Sequence, residues 1–148
     1  MKKFRYSMEN VLKLKIQLEE QAKLAYARAR SRLTAEEEKL TSLEDKKASY
    51  EQEMRQAGNE KLDIIKLRQL SQAIDIMKEK VEQQKIAVKT AAQNLEIAKV
   101  RLNNAMIERK TQEKLKEKAW LEYLAEFNAE EQKEIDEHNS FKYNDLLL

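Results

Sequence analysis

Residues 67–105 read LRQLSQAIDIMKEKVEQQKIAVKTAAQNLEIAKVRLNNA, and this stretch decides the fold. Leu67, Ile74, Val81, Val88, Leu95 and Leu102 recur every seven residues without exception. A companion series, Leu70, Met77, Gln84, Ala91, Ala98 and Ala105, lies three residues behind. Positions three and four apart share one face of an α-helix, so the two series make a single stripe. Heptads sustained over this length specify a coiled coil. Such a stripe needs a second one to cover it.

The upstream sequence supplies that stripe. Ser7 suits a helix N-cap, with Tyr6 and Val11 at hydrophobic-staple spacing, although Asn10 stands where a full capping box has Glu or Gln. From there a seam reads Val11, Leu14, Leu18, Ala22, Ala25, Ala29 and Leu33, in two eleven-residue periods. That period predicts an almost straight or slightly right-handed pair. Beyond Leu33 the seam becomes heptad through Glu36, Leu40, Leu43, Lys47, Tyr50 and Met54. Gly58-Asn59 then reads as a helix stop, and Asn59 or Asp63 can cap the second helix.

The two stripes match as an antiparallel hairpin, in which facing residues have numbers of constant sum. Leu33 with Val88, Leu40 with Val81, and Met54 with Leu67 share one sum; Leu18 with Leu102, Ala22 with Ala98, Ala25 with Leu95, and Ala29 with Ala91 share a sum one lower. Half of either falls at the Gly58-Asn59 break. The predicted fold is all-α: two long helices in an antiparallel coiled-coil hairpin, the second longer than the first. Chain 1–148 is taken as one hairpin: helix about 7–57, turn about 58–63, helix about 63–138, and a disordered tail 139–148. Alanine pairs away from the turn bury little apolar area, so that half is expected to be weaker and able to splay.

Composition excludes several other classes. One Gly and no Pro in 148 residues leave little material for turns. No Cys and one His rule out thiolate chemistry and His- or Cys-rich metal sites. No apolar run approaches the roughly 18–20 residues of a membrane span, and no signal peptide is read after Met1. His138, among Glu134, Asp136 and Glu137, has no second ligand at helical spacing and reads as solvated. Glu19-Glu20 and Glu36-Glu37-Glu38 read as exposed pairing partners for Lys and Arg rather than as acid–base catalysts. Neither a catalytic constellation nor a cofactor site is expected.

Charge is segregated along the chain. Residues 1–32 carry +6, 33–83 carry −3, 84–118 carry +5 and 119–148 carry −6. In a hairpin the two basic blocks lie side by side, a pattern that steers association with an acidic surface. Beyond about Lys116 the second helix outruns the first by residue sum. That overhang carries Trp120, Leu124, Phe127 and Ile135 as an apolar stripe. Either Phe4 and Tyr6 fold over Trp120, or the stripe docks a partner or a second copy.

Particular residues then resemble one family. Phe4-x-Tyr6-x-Met8-x-x-Val11-Leu12, Leu67-x-x-Leu70-x-x-x-Ile74, Ala105-x-x-Glu108-Arg109-Lys110 with Glu113-x-Leu115, and Asp136-Glu137 resemble, in order and spacing, the FliJ family of flagellar export proteins. Leu67 and Leu70 stand where family members often have aromatics, and the tail from Phe141 to Leu148 has no match. The resemblance implies a non-enzymatic component of the flagellar type III export apparatus, similar to the rotor stalk of rotary ATPases. It implies a cytoplasmic location, peripheral to the membrane, and three partners: the export ATPase hexamer, the export-gate membrane protein and export chaperones. On that reading Lys13, Lys15, Arg109, Lys110 and Lys114 of the base, with Trp120, Leu124 and Phe127 of the overhang, meet the ATPase. The family's contact positions near the turn match Leu43, Tyr50, Leu70, Ile74 and Met77, which would meet the gate.

Two rivals stand beside this reading. A homodimeric coiled-coil scaffold without export function would use the overhang as its interface, whereas the export reading expects a monomer in isolation. A nucleic-acid or membrane-surface binder is suggested by Lys2, Lys3, Arg5, Lys13 and Lys15. It lacks interleaved aromatics, and Glu9, Glu19 and Glu20 dilute its charge, so neither nucleic acid nor direct membrane insertion is expected.

Overall fold

A computed structural model describes residues 2–59 and 63–147. Two helices account for nearly all of them: α1, Glu9–Asn59, and α2, Ile64–Leu147, the longer of the two. They pack against each other as an antiparallel hairpin. The α2 stripe is seen as expected: Leu70, Ile74, Met77, Val81, Gln84, Ala91 and Ala98 are buried.

Both helices start on identifiable chemistry. Asp63 is the N-cap of α2, its Oδ1 accepting from the Lys66 amide at 3.2 Å and its carbonyl from Leu67 N at 3.0 Å. At the other start, Met8 O accepts from Leu12 N at 3.0 Å, and the Glu9 amide turns back to Tyr6 O at 3.2 Å. Helical bonding therefore begins one residue after the expected Ser7 cap. Tyr6 does not remain local to staple α1. It is buried, and its hydroxyl donates to Gln112 Oε1 on α2 at 3.0 Å.

Two boundaries differ from the sequence reading. Gly58 lies within the last turn of α1 and has no positive φ, so the helix runs through the expected stop to Asn59. The expected turn falls largely on residues 60–62, outside the described residues. Farther on, α2 continues through 139–147, where a disordered tail was expected; that stretch holds neither Gly nor Pro to interrupt helical bonding. The chain read as one hairpin also divides, by packing, into two units: Met1–Gln21 with Asn103–Leu148, and Ala22–Leu102.

The α1 seam corrects the eleven-residue reading. Inward positions are Leu12, Lys15, Glu19, Ala22, Tyr26, Ala29 and Leu33, continuing through Glu36, Leu40, Leu43, Lys47, Tyr50, Met54 and Ala57. These are unbroken heptads. Leu14, 50 % exposed, and Leu18 and Ala25 face outward instead. The physical cause is that Lys15 and Glu19 find partners on α2. A long polar side chain packs its stem at a seam while its head is paired, so the heptad frame survives two charged residues.

Candidate interaction surfaces

In the unit formed by Met1–Gln21 and Asn103–Leu148, the seam is held largely by charge. Glu19, 5 % exposed, accepts from Arg109 Nε, and Arg109 Nη1 also reaches Glu113 Oε2 at 2.8 Å. The Glu19 carboxylate, aided by Glu113, holds the Arg109 guanidinium above its ordinary pKa against the opposing effect of burial. Lys15 pairs with Glu108 at 3.0 Å, and Lys116 with Glu9 at 2.9 Å. Lys15 and Arg109 are thus fastenings between the two helices. Lys13, Lys110 and Lys114 are exposed and point away from the seam.

The same unit resolves the overhang. Residues 2–6 form an extended strap without regular structure, laid along α2. Phe4 meets Trp120 edge-on at 5.1 Å between ring centroids and Tyr123 at 5.5 Å. Trp120 stacks with Tyr123 at 5.6 Å, Tyr123 stacks with Phe127 at 6.2 Å, and Tyr123 Oη donates to Lys2 O at 2.8 Å. Leu124 is half-buried, while Trp120 stays 42 % exposed and Phe127 and Ile135 are also exposed. The cover expected from Phe4 is present, and Tyr6 points instead to Gln112. The sequence signal for the strap was its aromatic residues, Phe4 and Tyr6; Lys2, Lys3 and Arg5 around Phe4 were read only as a basic surface.

In the unit formed by Ala22–Leu102, the seam is mostly apolar, with polar positions at Glu36, Lys47 and Gln84. Gln84, 6 % exposed, donates from Nε2 to the Glu36 carbonyl at 2.9 Å and to the Glu36 carboxylate. Arg32 steadies that carboxylate at 2.9 Å. Of the residues matched to contacts near the turn, Leu70, Ile74 and Met77 are buried in this seam and Leu43 and Tyr50 are half-buried. Ala22 and Ala29 lie at half-buried and Ala91 and Ala98 at buried seam positions, with Tyr26 in the place expected for Ala25.

Among the described residues no three metal-ligating side chains come together, and no helix is long and apolar enough to cross a membrane. His138 is exposed on α2. What the geometry offers is helical surface: a charge-fastened base with free lysines, an aromatic groove, and a long acidic helix end. This is the make-up of a coiled-coil contact protein.

Comparison with known proteins narrows that class. The sequence profile described as flagellar FliJ protein matches residues 4–145, and the chain belongs to the FliJ family. Among solved structures it is similar to a YscO homolog, CT670 of Chlamydia trachomatis, with a TM-score of 0.74, 25 % identity and 96 % of each chain covered. No curated protein matches it. Family and fold together mark a coiled-coil protein related to type III export.

Proposed function

We propose that the protein is a non-enzymatic, stalk-type component of the flagellar export apparatus that works from the cytoplasmic side of the membrane. The observation carrying this reading is the family match along residues 4–145. The base engages the export ATPase hexamer, the turn half meets the export-gate membrane protein, and the protein handles export chaperones. Exposed Lys13, Lys110 and Lys114 are the residues free to steer the base onto an acidic ring surface. Lys15 and Arg109 support it indirectly by holding the two helices together. In the turn half, Leu43 and Tyr50 are accessible to a gate partner. Leu70, Ile74 and Met77 are reached only where the helices part.

The test is co-purification with the export ATPase, read together with its hydrolysis rate. Lys13→Glu with Lys110→Glu and Lys114→Glu is expected to keep the helical content and lose both binding and stimulation at physiological salt. Unchanged stimulation refutes the electrostatic docking. A chain sedimenting as a monomer at micromolar concentration disposes of the homodimeric scaffold; a stable dimer would favour it.

A further inference from the structure

The strap of residues 2–6 lies in a shallow groove along one face of α2. Its floor is the row Trp120, Tyr123 and Phe127 on α2, and one rim is Glu122, Glu126 and Glu130, spaced four residues apart on one helix side. Strap and rim together enclose an open cavity of about 630 Å³. The strap places Phe4 on the aromatic floor, and Lys2, Lys3 and Arg5 line the same open cavity as Glu122, Glu126 and Glu130, so an aromatic ring and opposite charges share one face. Its attachment is slight. Residues 2–5 are held by Phe4 and by one hydrogen bond, from Tyr123 Oη to Lys2 O, with no backbone ladder, whereas buried Tyr6, bonded to Gln112, anchors their C-terminal end. Segments fastened this way open locally at small free-energy cost.

We propose that this groove is a docking site for an extended basic segment of a partner protein carrying an aromatic side chain, and that the chain's own N-terminal strap is its built-in competitor. The occupant's chemistry is set by the segment already seated there: an aromatic ring for the floor and cations for the rim. Tethering gives the strap a high effective concentration, so a partner segment must outcompete it. Apparent affinity for the partner is therefore lowered by the fraction of chains with the strap closed. The inference goes beyond the export reading and does not depend on it, because it concerns which segment the groove accepts.

Trp120 is the single tryptophan, so its emission reports on this groove alone. The probe is a synthetic peptide, acetyl-KKFRYS-amide, titrated into the full chain and into its Phe4→Ala variant. Phe4→Ala is expected to move Trp120 emission to longer wavelength, and the peptide to reverse that shift. The apparent Kd for the variant should be at least about tenfold below that of the wild type, as removal of a seated aromatic competitor implies. Lys3→Glu with Arg5→Glu, which leaves every groove residue intact, should act in the same direction if Phe4→Ala loses helicity by circular dichroism. Glu122→Gln with Glu126→Gln in the Phe4→Ala chain should weaken peptide binding and reduce its salt dependence. Equal affinity for opened and wild-type chains, no reversal of the shift, or equal binding by a peptide with Ala in place of Phe would each overturn the proposal.

Discussion

Replacing Gln84 with Leu, Glu36 with Leu, and then both, tests whether the polar layer is a coupled unit. Gln84 Nε2 makes one bond to a neutral carbonyl and one to a carboxylate, and both groups belong to Glu36. Such bonds are worth about 0.5–1.5 and 1.5–3 kcal/mol, so Gln84→Leu forfeits roughly 3 kcal/mol, whereas Glu36→Leu keeps the backbone carbonyl and forfeits roughly 2 kcal/mol. A buried Leu returns about 2 kcal/mol of transfer free energy. Gln84→Leu is thus expected to lose about 1 kcal/mol, because the Glu36 carboxylate is left without its donor on α2, and Glu36→Leu to come out near neutral. The double variant forfeits the bonds only once and gains two leucines, for a net stabilisation of about 1 kcal/mol. That corresponds to a midpoint about 2–4 °C higher in thermal unfolding monitored by helical circular dichroism. The coupling energy is then roughly 2 kcal/mol, well above the ~0.5 kcal/mol scatter of independent sites. Single effects that add within that scatter, or a double variant less stable than wild type, refute the reasoning. An all-apolar layer is also expected to relax the pairing specificity, seen as oligomers in sedimentation.

Four further outcomes are expected from the seam and the α2 cap. Leu12→Ala should cost about 2–5 kcal/mol in urea unfolding, whereas Leu14→Ser should stay within about 0.5 kcal/mol; the reverse order would restore the eleven-residue seam. Asp63→Ala should lose about 1 kcal/mol and Asp63→Asn much less, since both caps accept from the Lys66 amide. Arg109→Glu places like charge against buried Glu19 and should loosen the base, read as faster hydrogen exchange in residues 9–21 and 103–116, while Lys110→Glu should leave exchange there unchanged. Arg109 has its pKa raised, so the pair's contribution is present below the guanidinium's ordinary value and is lost only as pH rises beyond it. Alkaline titration up to about pH 10, still below the guanidinium range, should therefore leave that exchange pattern intact.

How much was legible depended on what each residue had to satisfy. The α2 stripe from Leu67 to Ala105 was readable because nearly every position carries its own apolar or small side chain, and hydrophobic burial is local in the pattern. The first third of α1 was misread because Leu14 and Leu18 are more apolar than Lys15 and Glu19. Only Glu108 and Arg109, some ninety residues away, make the charged pair acceptable at the seam. The tail, expected to be disordered, is helical through 147, because helical bonding needs only backbone and the absence of a breaker. Among candidate contacts, Lys13, Lys110 and Lys114 lie where surface contact requires. Arg109 and Lys15 look identical to them in sequence and differ only in having carboxylates opposite.

What the sequence determined alone was the class of fold and its pairing: two helical stripes whose facing positions share a near-constant sum, and so opposite chain directions. Those arise from periodicity, which each helix carries within itself. What the tertiary structure decided was the phase of the first stripe, the division of basic residues into fastenings and free surface, and the seating of Phe4 on Trp120. Each of these depends on which side chain stands across from another. Charge and aromatic contacts are short-ranged, so partners distant in sequence settle them only once the two helices have met.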